Sequence, residues 1–389
     1  MVRLLHIATD DKFFDSVYQH FKADNRIENT AICLVDKKFD SFKYIKNTKV
    51  ISPLSNKNEI INYLQKKNYD IVYFHSLSVP NWWIVNYIPK NKIIIWWAWG
   101  FDLYNEWRGF PPHIKVDLLK PLTEVFSKNT RNKLLHSLKS LFCHCVTGPL
   151  LAYQFRKKIV NRIDYFQPVL HLEYELMKQI KGFGAKEFYY SMKSLPMYDN
   201  KNKMDFIKKP ILVGNSATPS NNHLDILDIL LKCNIDFKRV IMPINYGNQE
   251  YLQKISHLMD EKYKEVNTIK DFMSIESYFN MIYSCTHSIF GVMRQQAMGN
   301  IYQMLGNGTK VFLYKDSIPY QYLSSIGYVV YAIEDITVES LSTPLSQAEI
   351  DNNKQIRLKE ITYKNAIYDK AMEEIIYNVT EKNSIAFTI

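Results

Sequence analysis

Residues 286–316 read THSIFGVMRQQAMGNIYQMLGNGTKVFLYKD, and this stretch decides the fold. The segment 286–292 is short, apolar and sufficiently β-branched to be a buried strand. After a polar corner, apolar side chains return at helical spacing over 298–305, and glycines follow that stop a helix. Residues 310–314 then have the pattern of another buried strand. The stretch therefore predicts a strand, a helix and a parallel strand, which together form a βαβ crossover.

The polar corner of this unit consists of Arg294, Gln295 and Gln296. In βαβ units ligands bind beyond the carboxyl ends of the strands, where this corner falls. A guanidinium with a fixed fork of donors, next to the first N–H groups of a helix, suits a diphosphate. The alternative is that Arg294 pairs with a nearby carboxylate while the glutamines cap the helix.

The rest of the chain repeats the alternation of short apolar strands with amphipathic helices, which predicts an α/β fold with parallel, doubly wound sheets. The predicted strands are 2–8, 30–35, 49–52, 70–74, 92–99, 141–147, 210–213, 239–244 and 328–332. A length of 389 residues favours two domains. We expect an N-terminal Rossmann-like domain over 1–166, a connecting segment over 167–209, and a second Rossmann-like domain over 210–389 with a closing helix at 361–377.

Composition limits the partners and the compartment. The formal net charge of +10 favours a polyanion, an anionic membrane surface or a phosphorylated ligand. The five cysteines are scattered and form neither a disulfide framework nor a zinc pattern, and Cys143-His144-Cys145 lies in an apolar strand-like run that suits buried thiols. A secretory signal and an apolar run of about 18 residues are both lacking. We therefore expect a cytoplasmic protein that is free or peripheral on the inner face of the cell membrane.

All six tryptophans fall between positions 82 and 107. Trp97, Trp99 and Tyr104 are candidates for an aromatic wall that stacks on a sugar acceptor, although some of these rings also suit a core. His75 and Asp102 lie just beyond strands of the first domain and are candidate bases. Asp10 and Asp11 are weaker candidates. The alternatives are a structural histidine and an aspartate that caps the turn after Gly100.

Two further stretches carry a possible function. Residues 113–141 predict a basic amphipathic helix, which is either a surface for anionic lipid or a solvated helix face. The turn Gly214-Asn215-Ser216 follows a strand and offers close backbone approach and polar donors, with Ser220 as the cap of the next helix. An ordinary tight turn explains the same residues. Tyr246 follows the strand 239–244 in a similar position.

Several common motifs are missing from the sequence. The Rossmann Gly-x-Gly-x-x-Gly, the P-loop, an Asp-x-Asp metal motif, a metal-ligand cluster and a nucleophile elbow are all absent. We therefore expect neither a dinucleotide cofactor nor a bound metal. Two Rossmann-like halves facing a cleft, without these motifs, are typical of a GT-B glycosyltransferase.

The chain also resembles a narrower family, the TDP-N-acetylfucosamine:lipid II N-acetylfucosaminyltransferases (glycosyltransferase family 56). The matching residues, spread over both halves, are Phe74-His75, Trp99-Gly100-x-Asp102-Leu103-Tyr104, Ile211 to Ser216, Ser220-Asn221-x-His223, Pro243 to Tyr246 with Tyr251, and Arg294-Gln295-Gln296-x-x-Gly299. Thr147-Gly148 departs from the polar turn expected there, and neither 167–209 nor the last fifty residues match. The sugar and the acceptor can therefore differ from those of the named reaction.

The resemblance implies transfer of a deoxyamino sugar, similar to 4-acetamido-4,6-dideoxygalactose, from TDP or UDP to an oligosaccharide on undecaprenyl diphosphate. Such a reaction serves surface polysaccharide synthesis, in enterobacterial common antigen, O-antigen or capsule. The donor-binding residues would be Gly214, Asn215, Ser216, Tyr246, Arg294, Gln295 and Gln296. The competing hypothesis is a non-catalytic carbohydrate- or polyanion-binding protein. A nucleic-acid partner is not expected, because the basic residues are dispersed and no recognition module is present.

Overall fold

The computed structural model describes residues 1–77, 81–104, 114, 116–127, 158–189 and 209–386. The chain divides into two compact units, each built on its own parallel sheet. The first unit comprises Met1–Lys115, Lys139–Met192 and Ile361–Ile389, and the second comprises Val116–Leu138 and Lys193–Glu360. This arrangement confirms the predicted α/β class with two Rossmann-like domains.

The first sheet has seven parallel strands in the order β3-β2-β1-β4-β5-β6-β7. Its strands are β1 (Val2–Ala8), β2 (Ile27–Leu34), β3 (Ile51–Leu54), β4 (Ile71–Phe74), β5 (Ile93–Trp97), β6 (Tyr165–Gln167) and β7 (Lys186–Glu187). The helices described in this unit are α1 (Phe14–Lys22), α2 (Lys57–Lys66), α3 (Gly100–Leu103) and α5 (His171–Lys178), with short 3-10 turns at Thr48–Val50 and Trp82–Tyr87. Apolar side chains of β1, β4 and β5 form the core under α1.

The second sheet has six parallel strands in the order β10-β9-β8-β11-β12-β13. Its strands are β8 (Ile211–Val213), β9 (Val240–Pro243), β10 (Asn267–Ile269), β11 (His287–Phe290), β12 (Lys310–Leu313) and β13 (Tyr331–Ala332). The helices are α4 (Pro121–Ser127), α6 (His223–Lys232), α7 (Gln249–Lys262), α8 (Ile275–Tyr283), α9 (Met298–Gly306) and α10 (Ile318–Ser325), with 3-10 turns at Pro219–Asn221, Phe237–Arg239 and Ile333–Asp335. The helix α11 (Gln347–Ala386) contributes its first part to this unit and its later part to the first unit.

Both sheets reverse their strand order at one point. Numbered within each unit, the order begins 3-2-1-4-5-6, so the chain changes direction across the sheet between β1 and β4, and again between β8 and β11. In open parallel sheets such a switch point leaves a crevice outside the carboxyl ends of two neighbouring strands, where ligands bind. The residues that follow these two strand pairs are therefore the candidates for a binding site.

The unit boundaries differ from the expected ones. The expected connecting segment 167–209 begins within the first sheet, because β6 and β7 pair in parallel and α5 lies between them. The closing helix is longer than 361–377, and its later part belongs to the first unit because Tyr368, Met372 and Ile375 pack into the first core. Residues 116–138 also belong to the second unit rather than to a continuous N-terminal domain.

Two local predictions need correction, and a third cannot be compared. The helix expected over 113–141 does not extend through 116–120; α4 starts at Pro121, where the Asp225 carboxylate accepts from the backbone N–H groups of Leu122 and Thr123, both at 2.9 Å. Ser220 is not the cap of α6, because Asn222 occupies that position. The strand expected over 141–147, with its cysteines, lies outside the described residues.

Candidate functional site

The switch point of the second sheet brings together the residues expected to bind the donor. The turn Gly214-Asn215-Ser216 follows β8, and the corner Arg294-Gln295-Gln296 follows its neighbour β11. Because β8 and β11 are parallel neighbours, both polar segments leave the same edge of the sheet. The β9 end adds Tyr246 on the other side of β8.

The Gly214 turn is shaped for close approach. Gly214 has a φ of +66°, and a Cβ placed there would lie 2.8 Å from His223 Nε2 and 3.2 Å from Asn221 Oδ1. Any side chain would therefore be strained and would collide with two buried polar groups. Asn215 Nδ2 donates to the Tyr246 hydroxyl at 2.8 Å, which ties this turn to the β9 end.

Gln296 fastens the second loop to the first. Its Oε1 accepts from Ser220 Oγ at 2.7 Å, and its Nε2 donates to Thr218 Oγ1 at 3.1 Å. A further link runs from Asn222 Nδ2 to the carbonyl oxygen of Gly291 at 2.6 Å. The ends of β8 and β11 are thus one connected polar corner. Gln296 was expected to bind the donor; its amide bonds to Ser220 and Thr218, and a contact with the donor stays a prediction.

Two helices begin at this corner without a side-chain cap. Asn222 precedes α6 and Ala297 precedes α9; both have left-handed backbone conformations, with φ of 52° and 59°, and neither side chain accepts from the helix. The first N–H groups of a helix need acceptors, and its positive dipole end attracts anions. The start of α9 therefore favours a negatively charged ligand, whereas the first turn of α6 already carries the buried carboxylate of Asp225.

Arg294 and Gln295 lie at the start of this corner. Arg294 is half-buried, and its Nη1 donates to the Gln295 carbonyl oxygen at 3.0 Å. The side chain of Gln295 is buried. Arg294 therefore adds a positive charge shortly before Met298, the first residue of α9, and its binding of a diphosphate stays a prediction.

Three buried polar atoms near the Gly214 turn have no hydrogen-bond partner among the described residues. They are Asn215 Oδ1, Asn221 Oδ1 and His223 Nε2. His223 stacks on Tyr251 with an interplanar angle of 20°, and its Nδ1 lies 3.1 Å from the Tyr251 hydroxyl. Burial lowers the pKa of His223 to about 3, so its imidazole is neutral. His223 was not among the predicted donor residues, although it stands in the Ser220-Asn221-x-His223 pattern.

In the first unit, His75 lies at the switch point between β1 and β4. It follows β4 directly, its N–H donates to the Ile7 carbonyl oxygen at 2.9 Å, and its ring is buried. Its Nε2 is 3.0 Å from Nδ1 of His6, a β1 residue that the sequence argument did not select. Burial lowers the pKa of both imidazoles, that of His6 to about 4. A neutral histidine pair therefore occupies this position.

The Asp102 carboxylate accepts hydrogen bonds from nearby backbone and indole N–H groups. Its Oδ2 accepts from Leu77 N at 2.8 Å and from Trp96 Nε1 at 2.9 Å, and its Oδ1 accepts from Trp99 N at 2.6 Å. Burial raises the pKa of this carboxyl to about 7. Its role as a base stays a prediction, but these contacts describe the capping role that was its alternative, and we assign it to positioning.

The predicted aromatic wall is only partly at the surface. Trp97 and Tyr104 are buried, and the Tyr104 hydroxyl donates to Glu173 Oε1 at 2.6 Å, so the structure uses both rings in the core. Trp99 is half-buried and stacks on Phe13 at a centroid distance of 4.7 Å and an angle of 25°. Phe13 was missed by the sequence argument, because a single exposed phenylalanine at a helix start carries no signal.

The two acidic residues after β1 differ. The Asp10 carboxylate accepts from the backbone N–H groups of Lys43, Tyr44 and Ile45, so it orders that loop. Asp11 accepts from Phe13 N at 2.8 Å, and desolvation raises its pKa to about 6. Asp11 is therefore the better placed of the two to exchange a proton near neutral pH.

Among the described residues, no three His, Cys, Asp or Glu side chains come together in a group able to hold a metal ion. Among the described helices, none is both long enough and apolar enough to cross a bilayer.

Solved structures with the same architecture match nearly the whole chain. Sucrose-phosphate synthase from Thermosynechococcus elongatus has a TM-score of 0.54 at 9% identity, covering 100% of both chains. The E. coli trehalose-6-phosphate protein bound with UDP-2-fluoro glucose has a TM-score of 0.56 at 11% identity, covering 96% of this chain and 99% of the other. A glycosyltransferase of avilamycin A biosynthesis has a TM-score of 0.51 at 9% identity, covering 96% and 97%. At such low identity these likenesses establish the fold, which is GT-B.

A family model decides the membership. The model described as 4-alpha-L-fucosyltransferase, glycosyl transferase group 56, matches residues 152–375, which is more than half of the 389-residue chain. The matched range includes both loops at the switch point of the second sheet. The chain therefore belongs to the 4-alpha-L-fucosyltransferase family, glycosyl transferase group 56, and it is a glycosyltransferase.

Proposed function

We propose that this glycosyltransferase moves a deoxyamino sugar, of the 4-acetamido-4,6-dideoxygalactose type, from TDP or UDP to a lipid-linked oligosaccharide. The acceptor would be carried on undecaprenyl diphosphate at the inner face of the membrane, in the synthesis of a surface polysaccharide. The observation that carries the proposal is the connected polar corner at the ends of β8 and β11, with Arg294 and the uncapped start of α9. Family membership favours this enzyme over a non-catalytic binding protein.

The donor side has to hold a leaving diphosphate. As the bond from the anomeric carbon to the diphosphate oxygen breaks, negative charge grows on that oxygen. Arg294 supplies a permanent positive charge, and the start of α9 supplies N–H groups and a positive dipole end. Gly214 and Gly291 let the ends of β8 and β11 pack closely against the residues before α6; a Cβ at Gly291 would lie 2.4 Å from the Asn221 carbonyl oxygen. These features together suit a diphosphate.

The acceptor side has to take a proton from the attacking hydroxyl. Its oxygen forms the new bond to the anomeric carbon while the proton passes to a base. Of His75, Asp102 and Asp10, His75 best fits this task, because Asp102 and Asp10 already accept three backbone or indole N–H groups each. Asp11, whose raised pKa suits proton exchange, is the second candidate. The half-buried Trp99 and the exposed Phe13 offer stacking faces for a sugar ring.

Two further observations support the choice of substrates. The net charge of +10 favours a phosphorylated donor and an anionic membrane surface. The E. coli protein that shares the fold is bound with UDP-2-fluoro glucose, which supports a nucleoside diphosphate sugar as donor.

A thermal-shift panel of TDP, UDP, GDP and their sugars, without metal and with magnesium, tests the proposal. A ligand that binds only the folded state raises its stability in proportion to the logarithm of ligand excess over Kd. We expect stabilisation by TDP or UDP, followed by transfer to a lipid-linked glycan in a radiolabel assay. A flat panel with all nucleotides, in a protein that unfolds cooperatively, would contradict the proposed donor.

A further inference from the structure

A chain of hydrogen bonds runs through the first sheet and ends at His75. Asn29 on β2 has its Oδ1 3.0 Å from His6 Nε2, and His6 Nδ1 is 3.0 Å from His75 Nε2. The strand register explains this contact, because His6 pairs with Tyr73 and His75 lies two residues further on, on the same face of the sheet. Three neighbouring strands therefore hold Asn29, His6 and His75 in one line.

This chain determines which nitrogen of each imidazole carries the proton. The amide oxygen of Asn29 only accepts, so His6 Nε2 carries a proton and His6 Nδ1 holds a lone pair. That lone pair must then accept from His75 Nε2–H. His75 is consequently the Nε2–H tautomer, and its Nδ1 holds a lone pair.

His75 Nδ1 has no hydrogen-bond partner among the described residues, and His75 is only 2% exposed. The rings of Phe14, Tyr73 and Trp97 surround it at centroid distances of 5.3, 5.2 and 6.1 Å. An acceptor left unpaired in such surroundings is unfavourable, and a donor group of a ligand would offset this cost. The lone pair also stands at the switch point of its sheet, where ligands of such folds bind.

We propose that Asn29 and His6 are positioning residues that hold His75 in the Nε2–H tautomer and reserve its Nδ1 for the acceptor hydroxyl. This inference rests on the proposed function. In the transfer step the hydroxyl proton goes to His75 Nδ1, the hydroxyl oxygen bonds to the anomeric carbon, and the bond to the diphosphate oxygen breaks. His6 Nδ1 accepts from the imidazolium that forms on His75 and stabilises it. The proton then leaves His75 when product departs.

The tautomers are tested on the free, full-length protein. NMR of protein labelled with ¹⁵N-histidine distinguishes Nδ1–H from Nε2–H rings, and comparison with His75→Gln and His6→Gln variants assigns the two signals. We expect both rings to be Nε2–H tautomers. An Nδ1–H tautomer of His75 would overturn the proposal.

Enzyme kinetics test whether the hydrogen bonds from Asn29 through His6 to His75 contribute to catalysis. We expect Asn29→Leu to lower kcat about tenfold or more, with little change in donor Kd or acceptor KM, because the Nδ1 acceptor of His75 is no longer enforced. Asn29→Asp keeps an acceptor for His6 and should retain most of kcat at about pH 8. His20→Gln is the control, since it alters an imidazole of α1 that packs on Phe21 and Tyr368 instead.

The possible outcomes are separable. Equal losses of kcat in Asn29→Leu, Asn29→Asp and His20→Gln would mean that the hydrogen bonds among Asn29, His6 and His75 have only a structural role. This result would overturn the proposal. Full activity of both Asn29→Leu and His6→Gln would also overturn the proposal. If the wild-type protein transferred sugar from no donor, the proposed function would fail together with the catalytic role of His75. The NMR result would still decide the tautomers.

Discussion

Ser220 Oγ donates to Gln296 Oε1 at 2.7 Å, although 76 positions separate the two residues. The same glutamine donates to Thr218, so one amide fixes the spacing between the β8 loop and the β11 loop. Arg294 and the Gly214 turn are therefore held at a constant separation before any donor arrives. Preorganisation of this kind lowers the cost of stabilising charge in a transition state.

Gly299 tests whether the start of α9 faces a ligand. It is exposed near the N-terminus of α9, and a Cβ there would meet nothing within 4 Å. Gly299→Ala should raise the free energy of unfolding by roughly 0.5–1 kcal/mol, because alanine favours the helix. The added methyl should nevertheless weaken binding of TDP or UDP. Urea unfolding and calorimetric titration measure the two effects, with Ser324→Ala on α10 as control. Unchanged nucleotide affinity would remove the start of α9 from the donor site.

Phe13 tests the acceptor surface. Its ring is 36% exposed and stacks on Trp99. Phe13→Ala should raise the acceptor KM by roughly two- to tenfold, the loss expected for one aromatic contact, and should leave nucleotide binding unchanged. Initial rates at varied acceptor concentration measure this change. Phe101→Ala, which removes another exposed ring of the same unit, is the control; a similar effect of both variants would argue against a specific stacking face.

Glu173 gives a pH dependence of stability with a definite sign. It is fully buried, and burial raises its pKa to about 7, compared with about 4.3 in an unfolded chain. Between these values the folded protein holds a proton that the unfolded chain has lost. The stabilisation is therefore complete below about pH 4 and is lost as the pH rises to about 7, at no more than about 1.4 kcal/mol per pH unit.

The Glu173→Gln variant isolates this effect, because glutamine resembles the protonated carboxyl. Urea unfolding from about pH 4 to about pH 8 should show the wild-type protein losing stability relative to this variant as pH rises. Glu175→Gln, on the same helix and partly exposed, should show no such difference. Parallel pH curves for the wild-type protein and Glu173→Gln would contradict the raised pKa.

Glu360 anchors the first part of α11 within the second unit. Its carboxylate accepts from the hydroxyls of Tyr302, Tyr322 and Tyr328 at 2.6, 3.0 and 3.0 Å, and from Arg357 at 3.1 Å.

Glu360→Ala should lower the free energy of unfolding by more than about 2 kcal/mol, because it leaves several buried donors unpaired. Chemical unfolding measures the loss. Asp351→Ala, which removes an exposed carboxylate of the same helix, should change stability by less than about 0.5 kcal/mol. A loss of that small size in Glu360→Ala would mean that water replaces the carboxylate.

The sequence predicted those strands whose apolar residues form uninterrupted runs. β1 and β4 are of this kind, as is the whole unit from β11 to β12, and their positions agree with the structure to within about two residues. β6, β7 and β10 have two or three residues each, and β7 is polar. Such strands exist because a neighbouring strand offers hydrogen bonds, which local periodicity does not record.

The sequence located the residues at the strand ends of the candidate site but not the contacts between its loops, for a similar reason. Strand ends that carry polar residues located Arg294, the Gly214 turn and His75 at the two switch points. The sequence left open whether Asp102 is a base or caps a turn, and it did not reveal that Gln296 joins two loops or that His6 lies beside His75. Those contacts depend on strand register and on loops that meet only in the folded chain. A buried histidine inside an apolar strand gave no separate signal.

The most direct test of the donor site is calorimetric titration of TDP and UDP into the wild-type protein and Arg294→Ala. Loss of one charged hydrogen-bonding group should weaken nucleotide binding about ten- to hundredfold. It should also lower transfer by about two or more orders of magnitude, with cooperative unfolding preserved. Lys232→Ala, which removes an exposed charge at the opposite end of α6, should bind like the wild-type protein. Equal affinity and near-normal turnover of Arg294→Ala would contradict a diphosphate site at the ends of β8 and β11.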